Sequence, residues 1–318
     1  MIYEHICHEL NGRLALTNAQ CATADSGSIH AALDEMLDFL SGIRERLPSY
    51  AWQQIVVPAI RSHPMHQTML LDPFTARAFN KPNGYPGDAV MMDFVYLLLE
   101  DSDHVASAGP IGSAIHSYTM SLECSQAVRE RREHMAHQID QLCARKSAAG
   151  ILSVAAGHLR EAALATSLSN RRFGRFIATD QDEASVAAIA SDHGHLGITA
   201  LTSGLKQFLA GDASDPLGAF DLIYATGLYD YLPDKLAKRL TAGLFNRLEP
   251  GGSLVIPNFA PGMKQAHYIE AFCDWWLVLR DGRQMLGLMA DCPQVQIASA
   301  EVTSDSTGNI LTLTAFKA

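Results

Sequence analysis

The sequence predicts an α/β protein: a Rossmann-like sheet with an antiparallel terminal hairpin over residues 148–318, preceded by an α-helical cap over residues 1–147. Two observations predict it. Beyond residue 150, apolar runs of strand length alternate with helical stretches, and repeats of this kind pair in parallel through right-handed crossovers. Before residue 147 that rhythm is absent, and proline punctuates helical periodicity instead.

The first strand of the sheet is Ile151-Leu152-Ser153-Val154, which runs through Ala155-Ala156-Gly157 into a helix opening at His158 to Glu161. Strand, turn and helix in this order form a nucleoside-binding layout. A dinucleotide site shows G-x-G-x-x-G because the backbone must approach a pyrophosphate at a helix N-terminus, and here only Gly157 is present. S-adenosylmethionine (SAM) carries no phosphate, so one residue of unusual backbone freedom beside its methionyl tail suffices. The sparse turn favours SAM as cofactor, with Ser153, Ala155, Gly157 and Glu161 as candidate contacts. Phe176 to Asp180 reads as the second strand, ending in an acid 23 residues after Gly157, where a carboxylate accepts hydrogen bonds from ribose hydroxyls. Gln181 is a candidate for the same sugar, and Asp182 suits the cap of a helix starting at Glu183.

Ile198 to Leu201 reads as the third strand, Phe220 to Gly227 as the fourth and Ser253 to Ile256 as the fifth. A helix from Asp234 to Leu248 is expected before the fifth strand, stopped by Glu249-Pro250-Gly251-Gly252. Ligands of such sheets sit outside the carboxyl ends of the strands, at the switch in strand order. That gathers Ser153 to Gly157, Asp180, Thr226 to Asp230 and Asn258 around one crevice, with Thr226 and Gly227 as further cofactor contacts. Val295 to Val302 and Asn309 to Phe316 alternate in polarity about Ser304 to Gly308, a hairpin that closes the sheet.

In the first half, helices are expected over Ile29–Leu47, Ala51–Ile60, Ala89–Glu100 and Leu122–Arg145. The stretch Asp72 to Met92 packs two prolines, two glycines and an aromatic into six residues around Tyr85, which fixes a loop shape. It reads either as a rigid turn with Asp88 as helix N-cap and Met91 as packing, or as a substrate-facing loop presenting Arg77, Lys81, Tyr85 and Asp88.

Composition sets outer bounds. The chain has 318 residues, 48% apolar and 18% charged, with a formal net charge of -10. That balance fits a well-buried globular protein, and it argues against nucleic acid as partner because Lys and Arg cluster only at Arg129 to Arg132. Six scattered cysteines lack C-x-x-C spacing and read as buried thiols of a reducing cytoplasm. No apolar run approaches the roughly 18 residues of a membrane span, and no charged-then-apolar leader opens the chain. The histidine pairs 63/66, 134/137 and 193/195 lack a matching Cys or carboxylate set, so no metal is expected.

Four blocks taken in order, Lys81 to Met92, Ala127 to Arg132, Ser153 to Glu161 and Gly227 to Asp234, resemble the bacterial class I SAM-dependent methyltransferases grouped with the extracellular-factor 3-hydroxypalmitic acid methyl ester biosynthesis protein. Trp275-Trp276-Leu277 with Arg280 fits the same pattern, and residues before 50 add nothing to it. The resemblance implies a SAM-binding class I sheet, a helical lid and a small or lipid-like substrate in secondary or signalling metabolism. Asn83 and Pro86 stand where that family more often carries Arg and Ala, which withdraws an anchor for an anionic acceptor.

Methyl transfer is an in-line displacement at a carbon activated by the sulfonium, so alignment and exclusion of water do most of the work. A carboxylate acceptor needs no base; for a hydroxyl or amine, Tyr85, Asp88, Tyr229, Asp230 and His267 are the titratable candidates. Tyr85, Tyr118, Tyr229 and Tyr231 could also face the sulfonium through cation–π attraction, with a core aromatic the preferred reading of Tyr231. Arg77 and Arg129 suit the methionyl carboxylate or an acidic substrate, and Tyr118, Met91, Lys81 and Asn258 complete the substrate-side candidates. Two other readings stay open: cyclisation of SAM by its own amine, giving azetidine-2-carboxylate and methylthioadenosine, and non-catalytic SAM sensing.

Overall fold

The computed structural model describes residues 2–23, 25–209 and 217–318, and these divide into two compact units. One unit comprises Met1–Gln126 and Lys264–Trp276; the other comprises Ala127–Met263 and Leu277–Ala318. The division falls earlier than the 147/148 boundary expected from the sequence. The helix Glu123–Arg145 belongs largely with the sheet because its Met135, Ala136, Ile139 and Cys143 share an apolar cluster with Ile151 and Phe176 of the strands.

The first unit is helical. Ile2–Thr23 forms a helix that the proline pattern does not mark, followed by helices Ser26–Arg46, Ser49–Ser62 with a π-turn stretch over Trp52–Val56, Pro64–Met69 and Pro73–Asn80. Starts are capped by short acids: Asp25 accepts from the Ser28 amide, and Asp72 accepts from the amides of Phe74 and Thr75, with Pro73 opening its helix. The helix expected to reach Glu100 runs only from Ala89 to Val95, because Leu97 turns the chain at φ 58°. Lys264–Trp276 returns to this unit through Glu270, whose carboxylate accepts from Arg44 at 2.7 and 2.8 Å and from the Trp52 indole at 2.8 Å.

A buried polar knot holds the centre of this unit. Asp72, fully buried, accepts from the Thr75 and Thr119 hydroxyls and pairs with His116 at 2.8 Å. Burial alone would lower the His116 pKa, but the adjoining Asp72 and Glu100 carboxylates outweigh it and the pKa is raised.

The second unit is the α/β fold that the sequence predicts. Seven strands, β1 (Gly150–Val154), β2 (Arg175–Asp180), β3 (Ile198–Thr202), β4 (Phe220–Tyr224), β5 (Leu248–Phe259), β6 (Ile297–Ser304) and β7 (Ile310–Lys317), form one sheet in the order β3-β2-β1-β4-β5-β7-β6. The first five pair in parallel, and β7 runs antiparallel to both β5 and β6. The core strands β1 and β4 are buried at every position, as expected when both faces of a parallel sheet are covered.

Two local readings change. Glu249-Pro250-Gly251-Gly252 lies inside β5, where it bulges between the pairs Phe220↔Leu248 and Leu222↔Ser253, and the preceding helix ends at Asn246. Pro and Gly here mark a bulge rather than a helix stop: Gly251 takes φ 77°, and a Cβ on Gly252 would sit 2.9 Å from the Glu249 carbonyl oxygen. The terminal hairpin turns at Asp305, whose carboxylate accepts from the Thr307 and Ile310 amides. No helix among the described residues is long and apolar enough to cross a membrane.

Candidate functional site

Strand order reverses between β1 and β4, so the chain segments leaving their carboxyl ends diverge and open a crevice there. After β1 the backbone takes left-handed geometry at Ala155 (φ 53°), Gly157 (φ 54°) and Leu159 (φ 51°). One freely turning residue was expected, and there are three. The two that carry side chains each cost roughly 1–2 kcal/mol, and they are held by Ala156 donating to the Thr179 carbonyl at 3.0 Å and by Leu159 burying its side chain in the core. The segment that follows is a single 3-10 turn, Arg160–Ala163, instead of the expected helix.

Asp180 closes this turn. One oxygen of its carboxylate accepts from the Gly157 amide at 2.8 Å and the other from the Asp182 amide at 2.9 Å. Each oxygen retains acceptor capacity for a ribose hydroxyl. Burial raises the Asp180 pKa, opposed by the Asp182 and Gly157 amides. Asp182 also caps the next helix through the Ala184 amide, the role its spacing predicts.

Across the strand switch, Tyr224 at the end of β4 donates its hydroxyl to Glu161 at 2.7 Å. Glu161 is 5% exposed, and burial raises its pKa against the hydrogen bond from Tyr224 and the charges of Arg131 and Arg132. Beyond β4, Asp230 accepts from the Phe259 amide at 2.7 Å and is 2% exposed. Its pKa is raised to about 6, by burial first, with Arg131, the Phe259 amide and Arg280 pulling it down.

That shift sets a measurable pH dependence. Between the ordinary carboxylate range and about pH 6, folded Asp230 keeps a proton that the unfolded chain has released. Stability therefore falls as pH rises through this window and stays lower above it, by up to about 3 kcal/mol from this residue alone. Asp230→Asn, which retains the acceptor for Phe259, is expected to melt a few degrees above the parent at pH 8 and to lose that advantage near pH 4. Equal differences at both pH values in thermal denaturation would refute a buried ionised Asp230.

Two of the expected site residues serve as structure instead. Tyr229 is fully buried in the apolar core, and its hydroxyl lies 3.0 Å from Thr241 Oγ1, which itself donates to the Ala237 carbonyl; Tyr229 is a packing residue, not a base. Asn258 is saturated: its amide donates to the carbonyls of Phe259 and Val278, and its oxygen accepts from Arg280. Arg280 also donates to the Tyr229 and Leu232 carbonyls, so Asn258 and Arg280 form a clasp that fixes the Gly227 to Asp234 loop. Ser153 is buried within β1, while Gln181, Thr226 and Gly227 lie at the strand ends with at least partial exposure. Arg129 is half-buried on the helix Glu123–Arg145.

The candidates in the helical unit are placed within that unit. Asp88 caps its helix through the Met91 amide and holds Arg77 in a bidentate pair at 2.7 to 3.0 Å, so both charges are spent on fixing the loop. Lys81 pairs with Asp274, Tyr118 donates to Asp34 at 2.7 Å, Met91 is fully buried, and Tyr85 is half-buried. His267 is buried and its pKa is pushed down to about 4 by burial and then by Arg44. Among the described residues no three His, Cys, Asp or Glu side chains converge as a metal-ligand set.

Sequence reasoning missed Arg131 and Tyr224. The signal for Arg131 was present: Cys124, Val128, Arg131, Met135 and Ile139 recur at helical spacing, so a charge sits on the buried stripe, whereas Arg129 lies off it.

No family model and no curated protein matches the sequence. Among solved structures, the chain is similar to a protein of Bordetella parapertussis described as a possible exported protein, at 17% identity and a TM-score of 0.57, over 72% of this chain and 79% of that one. It is also similar to N-methyltransferase NodS of Bradyrhizobium japonicum in complex with S-adenosyl-L-homocysteine (11% identity, TM-score 0.42, 59% and 87% covered). A third is magnesium protoporphyrin IX methyltransferase of Synechocystis with bound SAM (12% identity, TM-score 0.42, 61% and 83% covered). At these identities the likeness is one of fold, and the first of the three carries it.

Proposed function

We propose that the chain is a SAM-dependent methyltransferase acting on a small or lipid-like metabolite. The observation that carries this reading is the join between Asp180 and Gly157, which sets an acid with spare acceptor capacity against a phosphate-free turn at the strand switch. Asp180 would accept the two ribose hydroxyls, and the Ala155 to Gly157 backbone would pass beside the methionyl tail. The sulfonium itself supplies the electrophilic carbon. The protein's task is then to align an acceptor with the methyl–sulfur axis and to keep water out. For a hydroxyl or amine acceptor, Asp230 is the titratable group at this end of the sheet that is suited to taking the released proton. A carboxylate acceptor needs no base.

Incubation of the chain with SAM, alone and with candidate acceptors, followed by identification of the released nucleoside, tests the reaction class. Methyl transfer yields S-adenosylhomocysteine only when an acceptor is present. Methylthioadenosine released without an acceptor would overturn it in favour of cyclisation, and tight binding with no turnover would overturn it in favour of sensing.

A further inference from the structure

His116 is a buried titratable side chain that the methyl-transfer reading leaves without a task. It stands on the helix Gly109–Ser121, is 1% exposed, and meets a carboxylate at each ring nitrogen. Nδ1 lies 2.8 Å from Asp72 Oδ1, and Nε2 lies 3.2 Å from Glu100 Oε1. A neutral imidazole carries one N–H, so only the imidazolium donates to both acids. Those acids differ in what else holds them. Asp72 is fully buried and already accepts from the Phe74 and Thr75 amides and from the Thr75 and Thr119 hydroxyls, whereas the Glu100 side chain is 45% exposed. A ring that loses one proton therefore keeps the N–H facing Asp72 and turns a lone pair toward Glu100.

Glu100 belongs to a stretch with little else to hold it. From Tyr96 to Pro110 no side chain is buried, Leu97 and Leu98 are 45% and 50% exposed, and Leu97 turns the chain at φ 58°. The short helix Asp103–Ala106 within it is met by the Ser113 hydroxyl at the Val105 carbonyl, 3.4 Å away. Segments with so few buried contacts open locally. We propose that the His116–Glu100 contact is a proton-operated latch, which pins residues 97–108 to the helical unit while His116 is an imidazolium and releases them when the ring becomes neutral. Burial pulls the His116 pKa down, and the Asp72 and then the Glu100 carboxylate outweigh it and raise it. The latch is thus engaged through the ordinary imidazole range, about pH 6.5, and is lost as pH rises above it. Titratable groups on the surrounding helices are otherwise occupied: Asp34 accepts from Tyr118, His30 meets the Ala114 carbonyl, Arg77 is paired with Asp88, and His66 and His104 lie against Phe79 and Phe94. Asp93 and Asp103 stand on the two flanking helices, and the charges that shift His116 most are Asp72 and Glu100.

Hydrogen exchange of the full chain at about pH 6 and about pH 9, with each amide normalised to its unstructured rate, tests this. Protection over residues 97–108 is expected to fall roughly 3- to 10-fold at the higher pH, the scale of one half-exposed charge-assisted contact, while the helix Ser26–Arg46 keeps its protection. Glu100→Gln offers an oxygen to the imidazolium and an N–H to the neutral ring, so its protection stays level across the two conditions. Glu100→Ala offers neither and is weakly protected at both. Followed by NMR, the His116 ring should titrate above the ordinary histidine value in the unaltered protein and lower in Glu100→Ala. Equal protection of residues 97–108 at both pH values in the unaltered protein overturns the latch. So does a Glu100→Gln protein that loses protection at the higher pH as the parent does.

Discussion

Asp180→Ala is expected to weaken SAM binding on the order of 100-fold in a calorimetric titration, with the melting temperature of the ligand-free chain changed far less. The ligand loses two hydrogen bonds to a charged acceptor, each of about 1.5–3 kcal/mol. The turn suffers as well, because the amides of Gly157 and Asp182 lose the acceptor that holds them at 2.8 and 2.9 Å. Asp180→Asn keeps the shape and one acceptor and should fall between the two. An unchanged affinity in the alanine variant would remove Asp180 from the site. Because burial raises the Asp180 pKa, its removal lifts a desolvation cost in the free protein, which is why the loss should appear in binding more than in folding.

Gly243→Ala is expected to have the largest effect on folding. The helix Asp234–Asn246 is anchored by buried Ala237, Leu240, Leu244 and Phe245, and Gly243 sits among them with its Cα hydrogens against the Phe208 carbonyl. A Cβ built there falls far inside van der Waals contact with that oxygen, and the opposing atom is backbone, which cannot rotate away. Helix propensity favours alanine by about 1 kcal/mol, but overpacking against a fixed carbonyl costs about 3 kcal/mol or more and should win. Chemical denaturation should show a lowered midpoint in Gly243→Ala. A midpoint at or above that of the parent would mean that the helix and the Phe208 turn are packed less closely than described.

Five parallel strands, the closing hairpin and the acid that ends β2 were readable from the sequence because each rests on local pattern. Apolar runs such as Ile151 to Val154 suit the buried strands of an α/β sheet, and Asp180 ends its strand at a spacing fixed by the intervening turn and return. What sequence could not supply was set by distant partners. Glu249 to Gly252 carries the same residues as a helix stop, and only the pairing of Leu248 with Phe220 makes it a bulge. Tyr229 and Asp230 are neighbours in sequence, yet one turns into the core against Thr241 and the other accepts from the Phe259 amide of β5. In the helical unit, Arg77 and Asp88 were legible as charges on a constrained loop, but not as each other's partner. The end of the helix Ala89–Val95 was misread because Leu97 takes left-handed geometry, and no local rule marks leucine for that role.

A crystal structure of the chain grown with S-adenosylhomocysteine measures the placement of the nucleoside directly. The ribose 2′- and 3′-hydroxyls should lie within hydrogen-bond distance of the Asp180 carboxylate, with the Ala155 to Gly157 backbone alongside the sulfur. A nucleoside bound elsewhere on the chain, or a ribose turned away from Asp180, would contradict the site described for this sheet.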